Sequence, residues 1–434
     1  MLKQNILKTF FAVTAFFILI GSATAREPMR LSLDDARNYA LGHNRNLVNA
    51  GLAIDEADQR LRETIARGLP QVDVTADYNN FFGSTAEIAF GPVPAVIEFN
   101  PTSTANLSVG QLIFNGSHIV GIQTARLFRE IQETSRDRTE LEIISQVLQA
   151  YYLVLMSEQS LAILGENLEN MRDVMEGTII MVEAGVADEL DYDQLSVQVA
   201  MLENGISAAQ RQVEMAVNLL RMQMGLEADV EIVLTDSLEE ILNSSDFQGS
   251  LNSQFLLDEN IDFQLMQLQT SVAEKQIDLE RAAYLPTVAG FYNYTEKILK
   301  PEFDIQPKHV IGVNVSIPIF SSGMRRARVN QARINLESVE NQQQMMTDQL
   351  FIQERQLRYN LQNAMEQFES QQSNVAVAQR IYDNLQLKYR QGMISSLELT
   401  IANNNYLQAE NSYISSLLQL LQAQTEMDKL LRSL

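Results

Sequence analysis

Four segments of the chain alternate apolar and polar residues, which is the pattern of a half-buried β-strand. The clearest is the last, where Ile311, Val313, Val315, Ile317 and Ile319 share one side. The alternation also runs through 72–78 and 107–113, and it is weakest at 288–294. Each segment offers about 9–12 residues, the length of a tilted membrane-spanning strand. The pattern predicts four strands, which suit either a membrane or a sheet buried against helices in a soluble protein.

Two long stretches predict helices because they lack proline, which breaks helix interiors. Residues 324–391 contain neither Gly nor Pro, and residues 117–184 contain no Pro. Apolar residues recur there at spacings of three, four and seven, which indicates packing along a helix–helix seam. On periodicity alone, a rod-like coiled coil explains these stretches.

Each long helix is predicted to end in a tight helical hairpin. Gly185 and Gly392 end the long helices, since Gly commonly takes the left-handed position after a helix. Asp188 and Ser395 are the predicted N-caps of the return helices, with Ser395-x-x-Glu398 as a capping box and Asp188-x-x-Asp191 as a weaker one.

The chain repeats itself once. Leu69-Pro70-Gln71-Val72 recurs as Leu285-Pro286-Thr287-Val288, and Phe114-Asn115-Gly116 recurs as Phe320-Ser321-Ser322-Gly323. Each copy runs strand, loop, strand, long helix, turn and second helix, so one supersecondary unit is present twice. The predicted segments are an N-terminal helical segment at 26–68, a first β-hairpin at 69–116, a first helical hairpin at 117–225, a linker at 226–262, a helix at 263–284, a second β-hairpin at 285–323 and a second helical hairpin at 324–434.

The N-terminus predicts export. Lys3 and Lys8 precede an apolar run at 10–20, which is followed by Ala23-Thr24-Ala25. This is the order of a secretory signal peptide, residues 1–25, with cleavage after Ala25. Eleven apolar residues are too few to span a bilayer. No uninterrupted apolar run of 18 residues follows, so a membrane part of the mature chain is expected to consist of strands.

Composition argues against several classes of function. The formal net charge of −23 disfavours nucleic acid, whose phosphates need a basic surface. The absence of Cys excludes disulfides, thiolate chemistry and a lipid-modified cysteine. His43, His118 and His309 lie far apart, and no phosphate loop, nucleophile elbow or metalloprotease motif is present. The sequence therefore predicts no cofactor and no enzyme.

Much of the negative charge is local. Residues 158–262 hold 22 of the acidic side chains and three Arg. Such a run is usually a solvated surface. Asp188, Glu189, Asp191 and Asp193 crowd together, but the Gly that turns an EF-hand loop is missing, so a dedicated calcium site is not expected.

Several motifs, taken in order, carry a family resemblance. They are Leu31-Ser32-Leu33-Asp34-Asp35-Ala36, the paired Leu-Pro strand starts, the two strand ends at Gly116 and Gly323, and Tyr389-x-x-Gly392-x-x-Ser395-x-Leu397-Glu398. With these motifs the mature chain resembles the TolC family of outer-membrane efflux ducts. The resemblance implies an α+β membrane protein: a homotrimeric 12-stranded β-barrel with four strands per chain, continuing into a long α-helical coiled-coil barrel. It also implies the outer membrane of a Gram-negative bacterium, with its lipid around the strands, and a shaft in the periplasm.

The resemblance further implies partners and site residues at the hairpin ends. A periplasmic adaptor, attached to an inner-membrane pump, is expected at Gly185, Val186 and Ala187 and at Gly392, Met393, Ile394 and Ser395. Glu398 matches an acidic position at the pore aperture, and Asp191 and Asp188 are the further candidates. Ile394 and Ile401 stand where the family has a basic and an acidic gate residue, so the gating network is expected to differ here.

Two functions remain open from the sequence. One is the exit duct of a tripartite efflux or type I secretion system, and the other is an exported periplasmic coiled-coil scaffold. Glu398 either only caps its helix or both caps it and lines the pore.

Overall fold

The computed structural model describes residues 28–89, 94–300 and 306–434. The predicted signal peptide, Pro92 and Pro301 lie outside these ranges. The chain forms two compact units: unit 1 comprises Met1–Asn44, Ile143–Leu251 and Leu361–Thr425, and unit 2 comprises Arg45–Glu142, Asn252–Asn360 and Glu426–Leu434.

The described elements follow one another as β1 (Met29–Leu31), α1 (Leu33–His43), α2 (Arg45–Ala66), β2 (Gln71–Asn79), β3 (Thr85–Ala89), β4 (Pro94–Glu98), β5 (Thr102–Asn115), α3 (Gly116–Glu183), α4 (Glu189–Met224), β6 (Ile232–Leu234), α5 (Leu238–Ser244), α6 (Phe247–Asn252), α7 (Ile261–Ala282), β7 (Thr287–Leu299), β8 (His309–Ser316), α8 (Met324–Arg390) and α9 (Ser396–Leu431). A short 3₁₀ turn lies at Leu257–Glu259. The predicted α+β composition is confirmed.

Unit 2 contains the four predicted strands as one antiparallel sheet in the order β2-β5-β7-β8. The segment with the weakest alternation, β7, is a central strand of 13 residues that pairs with β5 and β8. Because β7 forms backbone hydrogen bonds with a strand on each side, it forms a strand even though its side chains alternate only weakly. The last strand ends at Ser316, three residues before the predicted Ile319. Its partner begins only at Thr287, and Pro318 has no N–H to donate.

A further hairpin lies in the predicted loop between β2 and β5. Strands β3 and β4 pair with each other, from Thr85↔Glu98 to Ala89↔Pro94. Phe81 and Phe99 close its base, with ring centroids 5.7 Å apart. The sequence analysis treated this segment only as a loop.

In unit 1, β1 is tied to the middle of α3. Strand β1 pairs in parallel with β6, and the amide of Leu33 donates to the Asp236 carboxylate at 2.6 Å. The buried hydroxyl of Tyr151 lies 3.1 Å from both the Leu31 carbonyl and the Asp236 carboxylate. Burial first, and Asp236 second, raise the pKa of Tyr151 above its usual range. This anchor was not predicted from the sequence.

The core of unit 1 joins parts of four long helices. Its buried members come from α3, α4, α8 and α9 and include Leu168, Met171, Val174, Leu195, Val199, Leu202, Tyr382, Tyr389, Leu399 and Ala402. This is the seam that the apolar spacing predicts. Helix α3 also contains an 18-residue window with a mean hydropathy of 1.3, which is long and apolar enough to cross a membrane, but half of that window is buried within the protein. A core helix has the same composition.

Candidate functional site

The two helical turns at the ends of α3 and α8 have the same geometry. Gly185 and Gly392 take left-handed backbone angles, with φ of 72° and 71°. In each turn the next amide reaches back to close the helix: Val186 to the Met181 carbonyl at 2.8 Å, and Met393 to the Lys388 carbonyl at 3.0 Å. These are the closing hydrogen bonds of a Schellman motif. Both glycines therefore act at the helix ends where the sequence predicts them.

The first tip is fixed by a reciprocal cap. Asp188 accepts from the Leu190 amide at 3.1 Å, and its own amide donates to Asp191 at 3.3 Å. The sequence ranked this capping box as the weaker one. Aspartate at the third position nevertheless reaches the cap amide here, because its carboxylate is close enough to satisfy one of the unpaired donors of the first turn.

Asp191 also joins the two tips. Its Oδ1 accepts from the Ser396 hydroxyl at 2.5 Å and from the Ser396 amide at 3.3 Å, although the residues are 205 positions apart in the chain. Ser396 is fully buried, and its hydroxyl also lies 2.8 Å from Gln194. The hydrogen bond from the Ser396 side chain lowers the pKa of Asp191, because it stabilises the carboxylate form.

The second tip presents a free acidic side chain to solvent. Ser395 accepts from the Glu398 amide at 3.3 Å, which confirms Ser395 as a cap of α9. Glu398 itself is exposed. Of the three predicted aperture residues, Asp188 caps α4 and Asp191 connects the two tips, whereas the Glu398 carboxylate is exposed to solvent.

Apolar side chains cover much of the exposed surface of both tips. Val186 is 70% exposed and Met393 is 66% exposed. Leu190, Leu397 and Ile401 are also mostly exposed, one or two turns further along α4 and α9. Ile394, in contrast, packs against the buried core. An exposed apolar group with an acidic surround is the composition of an interaction surface.

Two polar pairs lie beneath the tips, inside the apolar seam, and a third pair has one exposed member. Tyr389 and Thr178 share a hydrogen bond of 2.9 Å. Asn167 and Asn403 exchange two hydrogen bonds, of 2.6 and 3.2 Å, and both are almost fully buried. Burial raises the pKa of Tyr389. A further bond joins Gln198 to Asn404 at 3.0 Å.

The sequence analysis missed these pairs. The only signal was a polar residue at a core-facing position of each helix, and nothing local shows which two positions meet. Asn167 and Asn403 are 236 residues apart.

The sheet of unit 2 has two chemically different faces. One face carries the apolar positions of the edge strands, including Val72, Val74, Ile311 and Val313, which are all more than half exposed. The rows Val72–Val109–Tyr292–Ile311 and Val74–Leu107–Tyr294–His309 cross all four strands on this face.

The opposite face is polar. It carries Asp73, Thr75 and Asp77 on β2, with Ser108, Asn106 and Thr104 across from them on β5. Within the four-stranded sheet, β2 and β8 each have a neighbour on one side only. A sheet with an exposed apolar face and two unpaired edges is unstable alone in water.

In the described part of the chain, no group of three or more His, Asp and Glu side chains is arranged to hold a metal ion.

Comparison with known proteins gives a family. Residues 36–226 and 252–431 match the model of the family described as outer membrane efflux protein. The toluene efflux pump outer membrane protein TtgC of Pseudomonas putida is 24% identical over 69% of this chain, and the aligned part spans 62% of TtgC. The outer membrane efflux protein BepC of Brucella suis is 20% identical over 92% of this chain and 84% of its own.

Solved structures share the fold. The outer membrane channel CmeC of Campylobacter jejuni superposes with a TM-score of 0.71 at 17% identity, over 92% of this chain and 85% of CmeC. The family model covers most of the chain, and its members are outer-membrane channels rather than enzymes. The predictions of a channel family, of an outer-membrane location and of no catalysis are thereby confirmed. The chain belongs to the outer membrane efflux protein family.

Proposed function

We propose that this protein is the exit duct of a tripartite efflux or secretion system and works as a homotrimer. The observation that carries the proposal is the open four-stranded sheet with one apolar face. Four strands cannot close into a barrel, since the smallest membrane barrels have eight. Because four antiparallel strands alternate in direction, β8 of one copy and β2 of the next run antiparallel as well. Three copies then close a ring of twelve strands without a free edge.

The two faces of the sheet suit such a ring. The apolar face meets lipid, and the polar face with Asp73, Thr75 and Asp77 lines a wet lumen. Tyr78 lies on the apolar face near the end of the sheet that is remote from α2 and α3, whereas Tyr292 and Tyr294 lie on the same face level with Val72 and Val74. Tyrosine near the end of a strand suits the aromatic girdle at a membrane surface.

The capped helical tips are the proposed gate and adaptor site. The exposed apolar groups at Val186 and Met393 offer the buried part of a protein contact, and the acidic surround favours a partner with basic side chains. The duct itself needs no catalytic residue, because the pump supplies the energy. Small molecules such as the toluene in the name of TtgC are proposed cargo.

Fractionation tests the proposal against the periplasmic scaffold. We expect the mature protein in the outer membrane, as a trimer that changes mobility on heating in SDS and that conducts ions in planar bilayers. A protein that salt extracts from the membrane, or that never forms the heat-modifiable species, would rule out the duct.

Glu398 is the first proposed aperture residue, and Asp191 and Asp188 are the further candidates. A ring of carboxylates favours cations and is blocked by multivalent ones. We expect Glu398→Gln to weaken the block of bilayer currents by multivalent cations, and the further change Asp191→Asn to weaken it more. Glu369→Gln, an exposed carboxylate on α8, is the matched control. A block that is equal in all variants would contradict the aperture assignment.

A further inference from the structure

The β3–β4 hairpin exposes an apolar surface at the distal end of the sheet, the end remote from α2 and α3. Phe82 is 91% exposed and Val96 is 60% exposed. Phe81 and Phe99 at the base of the hairpin are about two-fifths exposed. Aromatic side chains on a protruding hairpin cost solvation free energy unless another surface covers them.

The same hairpin is acidic. Glu87 lies opposite Val96 and Glu98 lies opposite Thr85, so both carboxylates share one face of the hairpin with Val96. Both side chains are exposed. No Lys or Arg occurs anywhere from 68 to 125. The hairpin therefore presents a surface that is apolar and negative.

The distal ends of β7 and β8 present the complementary character. Lys300 is exposed, and the Lys308 side chain keeps about half of its surface exposed although it bonds to Glu296 at 3.0 Å. Ile298, beside them, is 67% exposed. This second surface is apolar and carries two lysines, Lys300 and Lys308.

Strand order places the two surfaces next to each other twice, within one copy across β5 and β7 and, in the proposed ring, between copies across β2 and β8. The hairpin leaves the distal end of β2, which is an edge strand, and Lys308 precedes β8, which is the other edge. In the ring proposed above, β2 of one copy lies next to β8 of the following copy. Within a single copy the two surfaces leave each other exposed, as the high exposure of Phe82 and Ile298 shows.

We propose, on the basis of this twelve-stranded ring, that the β3–β4 hairpin of one copy docks on the distal ends of β7 and β8 of the next copy. The occupant of the apolar surface is thus a second copy of this chain. Phe82 and Val96 cover Ile298, and Glu87 and Glu98 face Lys300 and Lys308. The contact covers the distal end of each junction between β2 of one copy and β8 of the next. The opposite charges on the two surfaces fix how the hairpin is aligned on the neighbouring copy. A lipid surface is the poorer match, because the hairpin carries acids and no base for anionic headgroups.

Cross-linking tests the contact. Because the chain has no native Cys, only the introduced cysteines react with the cross-linker. In native membranes, Phe82→Cys combined with Lys300→Cys is treated with a short bismaleimide and analysed on a heated SDS gel. We expect ladders of two and three covalently joined copies. Phe82→Cys with Ile113→Cys is the matched control, since Ile113 is exposed but lies at the opposite end of β5. Ladders from Phe82→Cys alone would show hairpins meeting each other and would overturn the proposal.

A seam pair separates failure of this contact from failure of the ring. Val74→Cys on β2 with Ile311→Cys on β8 reports the edge pairing itself. If the Val74→Cys and Ile311→Cys pair joins copies but the Phe82→Cys and Lys300→Cys pair does not, the docking is overturned and the proposed duct stands. If neither pair joins copies, the result contradicts the trimeric ring. Thiols consumed without a change in mass indicate a contact within one copy, which also overturns the docking.

Charge reversal provides an independent readout. Glu87→Lys with Glu98→Lys is expected to lower the hairpin cross-linking yield about threefold or more, because rim charges set register and encounter. The yield of these variants is measured with Phe82→Cys and Ile298→Cys, so that Lys300→Glu can be added to restore it. If the cross-linking yield is the same with the Glu87→Lys and Glu98→Lys changes and with the added Lys300→Glu change, the charge pairing is overturned.

Fluorescence tests the lipid alternative. The chain has no Trp, so Phe82→Trp gives one Trp per chain, which is excited apart from the Tyr residues. We expect brominated lipids in reconstituted vesicles to leave it unquenched, and strong quenching overturns docking on a second copy.

Discussion

Replacing Ser396 by Ala should loosen the connection between the two helical tips. The change removes the hydroxyl that donates to Asp191 at 2.5 Å and leaves the carboxylate with the weaker contact to the Ser396 amide at 3.3 Å. A hydrogen bond to a charged group contributes about 1.5–3 kcal/mol. Because Asp191 is half-buried and can regain water, we expect a loss at or below the lower end of this range, about 1–2 kcal/mol, which is roughly 5- to 30-fold in a local opening equilibrium.

Amide hydrogen exchange of the membrane-reconstituted protein measures this opening. We expect exchange at the two tips, near residues 186–195 and 393–399, to accelerate by that factor. Ser412→Ala on the same helix is the matched control, since its hydroxyl bonds only the carbonyl of Gln408 one turn back. Equal exchange in the two variants would refute the inference that this hydrogen bond connects the tips.

Acid should have the same effect as the substitution. The folded pKa of Asp191 is lowered from 3.8, so its contribution to stability is present above the unfolded pKa and is lost as pH falls through the folded value. The protection factors of the native tips, which correct for the intrinsic pH dependence of amide exchange, should therefore fall in strong acid. Ser396→Ala should flatten this dependence, and an unchanged acid response would show that another group controls it.

Three further substitutions test the interior of unit 1 and its turns by chemical denaturation. Asn403→Ala should lower the free energy of unfolding by about 1–3 kcal/mol because it leaves Asn167 unpaired in the seam. Changing both residues to Leu should recover most of that loss, and a double variant as unstable as the single one would contradict this reasoning. Gly392→Ala should cost about 1 kcal/mol through its positive φ, whereas Gly165→Ala inside α3 should be neutral or stabilising; equal effects would show that the turn is unstrained. Tyr151→Phe should cost about 1–2 kcal/mol, since Asp236 and the Leu31 carbonyl lose a buried donor, and an unchanged unfolding free energy would remove the anchor role.

Local patterns in the sequence identify the elements well. Alternation locates β2 and β8, and proline-free stretches locate α3 and α8 to within a few residues. The turns follow from Gly185 and Gly392, because a left-handed residue has few alternatives to glycine. These features depend on neighbours in the chain, so one sequence contains the information.

Contacts between distant residues could not be predicted in the same way. The Asp191–Ser396 bond depends on how two hairpins 205 residues apart pack together. The caps formed by Asp188 and Asp191 were predicted from their spacing, whereas nothing local showed that Asp191 also contacts Ser396. The β3–β4 hairpin was missed because a short hairpin in a proline-containing loop has too few alternating positions to show.

The hydrogen bond at Ser396 also bears on the two gate positions that are isoleucine in this chain. Isoleucine carries no charge, so an ion pair cannot form at either position. Ile394 packs against the core of the tips, and Ile401 is half exposed. An exposed ion pair weakens as ionic strength rises, because salt screens exposed charges over a Debye length of about 8 Å at physiological ionic strength. The tips here are instead joined by a short bond to a buried hydroxyl and by the Tyr389–Thr178 and Asn167–Asn403 pairs, which water and salt reach poorly. The contact between these tips within one chain therefore depends on packing and hydrogen bonds, one of them to the Asp191 carboxylate, more than on ion pairs, and acid rather than salt is the solution condition that should weaken it.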